Sequence, residues 1–414
     1  MSKKSPQLRF EGFTDDWEQR KLSGIIEKLS GGASIKPTDY LEDGIRTIPK
    51  GAVNATGIAD LSGSKYISED FFEKNITSHA HTSNLVTSLR DLVPSAPNMG
   101  RIVRIEGDDE QFLMPQGVYK LELFEGMEED FLISFSNSDK YRKIISAEKN
   151  GSTQVHIRNG EFLNIDINLP SEHEQNKIGS FFKQLDNTIA LHQRKLDLLK
   201  EQKKGYLQKM FPKNGEKVPE LRFAGFADDW EERKLSSMTN YKNGKSHEDK
   251  QSTSGKLELI NLNSISISGG LKHSGKFIDE ADDTLQKDDL VMILSDVGHG
   301  DLLGRVALIP EDDRFVLNQR VALLRPNTTA DPQFLFSYIN AHQYYFKAQG
   351  AGMSQLNISK GSVENFISFV PIIEEQKKIG AFFKRLDDTI ALHQRKLDLL
   401  KEQKKGFLQT IFAK

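Results

Sequence analysis

The chain has 414 residues, no cysteine and a formal net charge of −3 at pH 7. This length suits two or three domains of ordinary size, and the lack of cysteine excludes disulfides, a thiolate nucleophile and any cysteine-ligated metal centre. No apolar run approaches the roughly 18–20 residues of a membrane span, and no apolar stretch follows the start as in a signal peptide. We therefore expect a protein of the cytoplasm, without a membrane partner.

The charge is unevenly distributed along the chain. Residues 177–211 carry eight Lys or Arg against three Asp or Glu, and residues 378–414 carry nine against four. The remaining residues therefore hold a formal charge of −13. Two basic segments lie in an otherwise acidic chain, so the total charge alone does not indicate a partner.

An internal duplication organises the chain. The segment PQLRFEGFTDDWEQRKLS at residues 6–23 returns as PELRFAGFADDWEERKLS at 219–236. A second pair of segments, 177–211 and 378–412, is identical at 29 of 35 positions. The period is too long for a solenoid. The sequence therefore predicts two copies of one domain, each followed by the same element.

The duplication predicts domain boundaries. In chain order these are a first variable domain at 1–170, a helix at 171–211, a linker at 212–218, a second variable domain at 219–371 and a helix at 372–414. Prolines and a glycine mark the linker. Short similar segments follow the same order in both domains. Asp91-Leu-Val93 matches Asp289-Leu-Val291, and Gly151-Ser-Thr-Gln154 matches Gly352-Met-Ser-Gln355.

Both variable domains have the pattern of a mixed α and β fold. Short β-branched or apolar runs, separated by Gly, Asn and Pro, predict strands. These runs are 45–48, 91–93, 112–114 and 118–123 in the first copy, and 257–262, 290–294, 305–309 and 320–324 in the second. Helical periodicity then predicts one helix in each copy, at 130–146 and 332–347.

The repeated element has the heptad pattern of a coiled coil, with apolar positions spaced alternately by four and three residues. Its predicted seam comprises Ile178, Phe182, Leu185, Ile189, His192, Leu196 and Leu199, and in the second copy Ile379, Phe383, Leu386, Ile390, His393, Leu397 and Leu400. The other copy is the obvious partner, and chain length allows either orientation. An antiparallel pairing would place the two histidines near its middle, as polar residues that set the register rather than as metal ligands.

This plan resembles the specificity subunit of type I restriction–modification enzymes. The motifs that carry the resemblance are the domain start LRFEGFTDDWEQRKLS, the segments GSTQVHI and GMSQLNI, and the pairs Glu174-Gln175 and Glu375-Gln376 before each helix. It covers residues 6–412. The resemblance implies an α+β fold of two mixed α/β target recognition domains, separated by two long helices that form an antiparallel coiled coil in a pseudo-two-fold repeat.

The same resemblance implies a function and partners. Each recognition domain would read one half of a bipartite target in double-stranded DNA, and the helices would set the spacer. Two methyltransferase subunits would hold S-adenosylmethionine, and restriction subunits of the helicase–nuclease type would use ATP and Mg. The chain itself would be non-catalytic, with no cofactor or metal. Because its bulk is acidic, we expect it to bind DNA weakly without the methyltransferases.

Candidate DNA contacts are polar and basic residues on loops and at element ends, where they can reach bases and phosphates. In the first domain they are Ser34, Lys36, Ser95, Asn98, Arg101 and Arg104; in the second they are Lys242, Asn243, Lys245, Ser246, His299, Arg305 and Arg320. The helix lysines, among them Lys200 and Lys204, fit either a solvated coiled-coil flank or phosphate contact.

Three motifs favour other chemistry only weakly. Asp331-Pro-Gln-Phe334 is similar to an adenine-methyltransferase box but lacks the second proline, and Gly244-Lys-Ser246 has the tail of a P-loop without its first glycine. His79-Ala-His81 lacks a third metal ligand. Two other functions stay open, a coiled-coil scaffold that binds proteins and the specificity subunit of a modification-only methyltransferase. Divergence between the paired domains favours DNA specificity over a scaffold.

Overall fold

A computed structural model describes residues 5–213, 215–297, 300–353 and 355–412. The chain divides into two compact units. Unit 1 comprises Met1–Gln193 with Arg395–Lys414, and unit 2 comprises Arg194–Gln394. Each unit thus combines one variable domain with a segment from each long helix. Within the described residues, no helix is both long and apolar enough to cross a membrane.

Unit 1 is built from short strands and helices. Its strands are β1 (Glu18–Lys21), β2 (Ile26–Gly31), β3 (Ile45–Thr47), β4 (Tyr66–Ile67), β5 (His79–His81), β6 (Leu85–Ser88), β7 (Arg90–Asp91), β8 (Ile102–Arg104), β9 (Gln111–Leu113), β10 (Val118–Leu123), β11 (Val155–His156) and β12 (Asp166–Leu169). Its helices are α1 (Glu69–Glu73), α2 (Glu129–Ser136), α3 (Asp139–Glu148), α4 (Asn159–Leu163) and the start of α5 (Glu172–Lys209).

The strands of unit 1 form two main sheets and two ribbons. One sheet is antiparallel with the order β2-β10-β6-β8. The other has the order β4-β3-β9-β5, in which β3 and β9 are parallel. The ribbons pair β1 with β12 and β7 with β11. The β1–β12 ribbon brings the start of the domain beside the entry to α5.

Unit 2 repeats this topology, except that its second sheet has three strands among the described residues instead of four. Its strands are β13 (Glu231–Lys234), β14 (Thr239–Asn243), β15 (Leu257–Ile260), β16 (Phe277–Ile278), β17 (Leu290–Ile293), β18 (Ser295–Asp296), β19 (Val306–Leu308), β20 (Phe315–Leu317), β21 (Val321–Pro326), β22 (Leu356–Asn357) and β23 (Ile367–Val370). Its helices are α6 (Pro332–Ala341), α7 (Gln343–Ala348), α8 (Lys360–Glu364) and the start of α9 (Ile373–Thr410). The sheets have the orders β14-β21-β17-β19 and β16-β15-β20, and the ribbons pair β13 with β23 and β18 with β22.

The structure corrects one predicted strand and its alignment. The strand predicted at 91–93 is wrong, because only Arg90–Asp91 pairs there, with β11. The proposed match of residues 91–93 with 289–291 is also wrong. Leu85 and Leu290 are the equivalent residues, since each lies opposite a leucine of the central strand of its sheet, in β10 and β21 respectively. The strand predicted at 118–123 is confirmed as β10.

Each helix predicted at the end of a variable domain is in fact two helices. In unit 1, Ser138 has extended backbone between α2 and α3, and its hydroxyl accepts a hydrogen bond from the Tyr141 amide. This is the N-cap of a new helix. In unit 2, His342 separates α6 from α7 with φ −103° and ψ 33°. Apolar periodicity continues across both breaks, which is why the sequence did not reveal them.

The aromatic core of unit 1 is closed by a residue from the far end of the chain. The ring of Phe412 stacks on Phe182 with centroids 5.6 Å apart. It also meets Phe131 and Phe135 edge-on, at 5.8 and 5.5 Å. Phe412 is only 2 % exposed. The domain at the start of the chain therefore depends on the end of α9 for its core.

Unit 2 uses the equivalent residue of the other helix. The Phe211 ring stacks on Phe383 at 5.6 Å and meets Phe334 and Tyr338 edge-on, at 5.9 and 5.0 Å. Offset-stacked and edge-to-face pairs each contribute about 0.5–1.5 kcal/mol beyond their buried area. The near-identity of segments 177–211 and 378–412 thus includes the aromatic residue that completes each core.

Helix segments pack in opposite directions inside each unit. In unit 1, Phe407 meets Phe181 edge-on at 5.1 Å, and Lys404 Nζ lies 2.5 Å from Asp186 Oδ1. Later residues of α9 thus contact earlier residues of α5. Burial raises the pKa of the Asp186 carboxyl, and the neighbouring lysine partly offsets that rise. Unit 2 has the equivalent ion pair between Lys203 and Asp387, also at 2.5 Å.

The repeated LRF motif supplies a buried ion pair. Nε and Nη2 of Arg9 each donate a hydrogen bond of 2.7 Å to the carboxylate of Glu174. The Glu174 side chain is only 1 % exposed. Arg222 binds Glu375 in the same way at 2.7 and 2.8 Å. The hydrogen bond to the carboxylate raises the pKa of each arginine. A buried carboxylate needs such a partner, which explains why arginine recurs in both copies.

Replacing Phe412 with alanine should destabilise unit 1 by about 3–5 kcal/mol, because the substitution leaves a cavity in the aromatic core. Leu399→Ala is the matched control, since Leu399 lies on the same helix but is 59 % exposed. Hydrogen exchange read by mass spectrometry would compare the protection of β1 and α2 in the two variants. Unchanged protection in Phe412→Ala would contradict the role given to this ring.

Candidate nucleic-acid interface

A groove of about 1350 Å³ lies in unit 2 between the variable domain and the two helix segments. The end of α5 and the first half of α9 form one wall, and α6 with neighbouring loops forms the other. The lining includes the basic residues Lys200, Lys203, Lys204, Lys209, Lys213, Arg305 and Lys384, and the acidic residues Glu220, Asp387 and Asp388. Seven cationic side chains against three carboxylates leave the groove electropositive.

Ion pairs neutralise only part of this charge. They join Lys203 to Asp387, Lys209 to Glu220 and Lys384 to Asp388, with nitrogen–oxygen distances of 2.5, 3.1 and 2.8 Å. Lys200 has no ion-pair partner in the described part of the chain, and Lys204 has only the exposed Glu201 at 3.9 Å. These two helix lysines, which the sequence left between two interpretations, are thus available to an anion in the groove.

Arg305 lies in the domain wall of the groove. Its Nη1 donates to the Asn340 carbonyl at 3.2 Å, whereas its buried Nε has no partner among the described residues. Burial lowers the pKa of the guanidinium. The Nε is shielded from solvent, so only the other N–H groups of the guanidinium can donate to a phosphate oxygen in the groove. Of the predicted DNA contacts that the structure describes, Arg305 is the one that lines this groove.

Arg101 is the equivalent residue of unit 1, just before β8. Its Nε donates to the Pro97 carbonyl at 2.9 Å, and its Nη1 donates to the Asn137 side chain. Burial, together with the nearby Arg142, lowers the pKa of Arg101 to about 10. Arg101 thus shares its position with Arg305, but more of its donors are satisfied within its own unit.

Arg104 is neutralised within unit 1. Its Nη2 lies 2.8 Å from Glu129 Oε2, and its Nη1 lies 2.6 Å from Asp130 Oδ1. Lys183 also binds Asp130, at 3.0 Å. Two carboxylates balance the two cations, and the cluster joins β8 to the first turn of α2 and to α5. This arrangement favours a structural role for Arg104, while its predicted contact with DNA stays a prediction.

Two of the predicted loops occupy equivalent positions after the first sheet strand. Gly32 and Gly244 both pass so close to a backbone carbonyl that a Cβ would lie 2.1 and 1.8 Å from its oxygen. This packing accounts for Gly244 without a phosphate-binding loop. In unit 2, Lys242, Asn243 and Lys245 line a cleft of about 80 Å³. The exposed candidates that follow these glycines are Ser34 and Lys36 in unit 1, and Lys245 and Ser246 in unit 2.

The other predicted contacts are dispersed. Ser95 is exposed and Asn98 is half-buried in the loop after β7. Arg320 is exposed in the turn between β20 and β21. His299 lies outside the described residues. The structure therefore places the candidates at several loops of each variable domain and brings only Arg305 to the groove.

The enzyme-like motifs have structural roles. The Asp331 carboxylate caps α6 by accepting the Phe334 amide at 2.8 Å, and burial raises its pKa. His79 stacks on Phe72 with ring centroids 3.5 Å apart. Among the described residues, no group of three or more His, Cys, Asp or Glu is placed to hold a metal ion.

The sequence analysis missed a set of exposed leucines on the long helices. In unit 1 they are Leu191 and Leu399, and in unit 2 they are Leu198 and Leu392, with exposed fractions of 52–65 %. Each directly precedes a residue of the predicted seam, so each lies at an outer heptad position that a solvated helix usually fills with polar residues. The presence of leucine at these outer heptad positions was the signal in the sequence that could have revealed this exposed apolar surface.

Reversing the charge of the groove lysines tests this interface. In the complex with the methyltransferase subunits that the resemblance implies, Lys200→Glu with Lys204→Glu should weaken DNA binding about tenfold or more at 0.1 M salt. Each lost phosphate contact should reduce the salt slope, the change of log affinity with log salt concentration, by about 0.9. Lys256→Glu with Lys287→Glu, two exposed residues outside the groove, controls for net charge. Fluorescence anisotropy across a salt series gives both quantities, and equal losses in both variants would contradict a specific role for the groove.

Comparison with known proteins identifies the same repeat. The family model described as "Type I restriction modification DNA specificity domain" matches residues 14–201 and 227–402. The chain is similar to the type I restriction enzyme MjaVIII specificity subunit of Methanocaldococcus jannaschii, at 23% identity over 73% of each chain. It is also similar to the putative MjaX specificity subunit of that organism, at 22% identity over 96% of this chain and 93% of the relative.

Solved structures share the fold. The S subunit of a type I restriction–modification system from M. genitalium matches with a TM-score of 0.67 at 15% identity, over 99% of each chain. A structure titled for complex assembly and conformational transition of the type I R-M system matches with a TM-score of 0.51 at 14% identity, over 95% of this chain and 96% of that one. At these identities the likeness shows the fold alone.

Proposed function

Because the chain belongs to the family of type I restriction–modification DNA specificity subunits, we propose that each unit reads one half of a bipartite target in double-stranded DNA. One observation carries this proposal: the units share a topology but differ at equivalent loop positions. Counted from the equivalent Gly32 and Gly244, Lys36 of unit 1 corresponds to Glu248 of unit 2. A common scaffold with different loop chemistry suits two different half-sites.

The basic groove would supply phosphate contacts, and most of the loop candidates would read bases. Lys200 and Lys204 of the groove can neutralise phosphates whatever the sequence. Most of the loop candidates carry amide, hydroxyl or basic groups that can discriminate base edges. Methylation sequencing of DNA from cells that express this chain with its methyltransferase subunits tests the proposal. One bipartite N6-methyladenine motif, lost when the chain is omitted, is the expected result.

We also propose that α5 and α9 form an antiparallel coiled coil that sets the spacer between the half-sites. The opposed contacts within each unit support this proposal, as does the burial or half-burial of all the predicted seam residues. His192 and His393 are half-buried seam positions with contacts of their own. A coiled coil of fixed length sets a separation as dimer geometry does for helix-turn-helix proteins.

Inserting one heptad at equivalent places in both helices should lengthen the spacer by about three base pairs. Seven residues add about 10.5 Å at 1.5 Å per residue, and DNA rises about 3.4 Å per base pair. Methylation sequencing reads the new motif directly. Changed half-site bases with an unchanged spacer would contradict the ruler, and a single-helix insertion, which breaks the register, is the control that should abolish modification.

We propose that the two methyltransferase subunits dock on the exposed leucines of the long helices. Apolar side chains at outer helix positions cost little in a monomer but add buried area when a partner helix covers them. S-adenosylmethionine would then be held by the methyltransferases, and ATP and Mg by restriction subunits of the helicase–nuclease type. The chain would itself be non-catalytic. It would supply the DNA sequence specificity and set the distance between the sites at which the two methyltransferase subunits act.

Leu191→Asp with its repeat Leu392→Asp should reduce co-purification of methyltransferase with the chain without unfolding it, because both residues are more than 60 % exposed. Leu41→Asp with Ile76→Asp, at 49 % and 73 % exposed positions outside the long helices, is the matched control. Mass photometry of the co-expressed subunits measures the assembly. Full assembly of the double variant would place the docking surface elsewhere.

A further inference from the structure

Each variable domain carries an arginine at one of two facing positions, on strand β7 in unit 1 and in the turn between β20 and β21 in unit 2. In unit 1, the turn between β9 and β10 contains Gly117, and a Cβ there would lie 3.2 Å from the Cδ of Arg90 in β7. In unit 2, the residue equivalent to Gly117 is Arg320, and the residue equivalent to Arg90 is Ser295. Only one of the two facing positions therefore carries a long side chain, and in both units it is arginine.

Backbone contacts establish these equivalences. The Gly117 carbonyl accepts the Leu89 amide at 3.1 Å, and the Arg320 carbonyl accepts the Leu294 amide at 3.0 Å. Arg90 and Ser295 each follow directly in the chain, and each pairs with the same ribbon strand of its unit. The arginine therefore lies on the strand in unit 1 and in the facing turn in unit 2, and this difference does not result from a wrong alignment of the two units.

Both arginines are exposed, and neither guanidinium has a partner within the described residues. The aspartates that directly follow Arg90 and Ser295 in the chain bind backbone instead: Asp91 accepts the Val93 amide at 3.2 Å, and Asp296 accepts the Leu302 amide at 3.1 Å. These aspartates serve the loops that follow them. Neither arginine forms an ion pair within the described residues, so each is free for an external anion.

Arg320 also has an unfavourable backbone conformation, with φ +65° where unit 1 has glycine at φ +99°. A non-glycine residue in this region costs of order 1 kcal/mol, and such strain is concentrated at functional sites. Folding alone would favour glycine at position 320. The presence of arginine at this strained and exposed position points to a role for its guanidinium outside the fold.

We propose that Arg90 and Arg320 are the phosphate anchors of the two domains, each binding the DNA backbone whatever the half-site sequence. This inference rests on the proposed function. A group present in both domains, which read different halves, cannot supply the difference between them, whereas a phosphate contact is needed by both. Arginine supplies a charge-assisted, bidentate contact suited to phosphate.

Arg320→Gly separates binding from folding, because glycine relieves the positive φ and should leave the melting temperature unchanged or raised. In the complex assembled with methyltransferase subunits, binding to a duplex that carries the mapped motif should weaken on the order of tenfold. The salt slope should fall by about 0.9, and the methylation motif should stay the same. Arg314→Gly, at the opposite end of β20, is the matched control for charge.

The swapped pair gives the decisive comparison. Ser295→Arg with Arg320→Gly rebuilds the arrangement of unit 1 in unit 2. Because Ser295 is buried and its hydroxyl donates to the Asn357 side chain, the melting temperature is measured first to show that the double variant folds; both affinity and salt slope should then be restored. Arg90→Ser should reproduce the loss in unit 1. Unchanged affinity in Arg320→Gly, failure of the swapped pair to restore it, or a motif relaxed at one base would overturn the proposal. Absence of any motif with the wild-type complex would instead refute the proposed function.

Discussion

Each variable domain depends on an aromatic ring supplied by the helix that follows the other domain. Phe412 completes the core around Phe131 and Phe182, and Phe211 does the same around Phe334 and Phe383. Because burial of a large aromatic side chain contributes several kcal/mol, this exchange holds α5 and α9 together wherever the domains are folded. The pairing of the helices and the folding of the domains are therefore one requirement.

The distribution of charge follows from local pairing rather than from composition. The acidic bulk of the chain argued against DNA contact, yet several of its carboxylates are used inside the fold. Glu174 and Glu375 hold the arginines of the LRF motif, while Glu129 and Asp130 hold Arg104. The cations without such partners remain available to an anion, so a net charge of −3 is compatible with the proposed phosphate contacts.

The duplication, the long helices and most strands could be predicted from the sequence, since near-identical segments and heptad spacing are local patterns. Strand register could not be predicted. The sequence matches Asp289-Leu-Val291 to residues 91–93, and only pairing with the central strand of each sheet shows that Leu85 is equivalent to Leu290. Nor could the candidate site be predicted in full. The ion pairs of Arg104 and the space shared by Arg90 and Gly117 are set by residues distant in sequence.

The exchange of aromatic rings also orders the folding of the chain during synthesis. Unit 2 is one continuous segment, Arg194–Gln394, and already contains the Phe211 that its core requires. Unit 1 is discontinuous, because its core also needs Ile411 and Phe412. The domain that leaves the ribosome first is thus the last to close, and until then its apolar surface is open to chaperones.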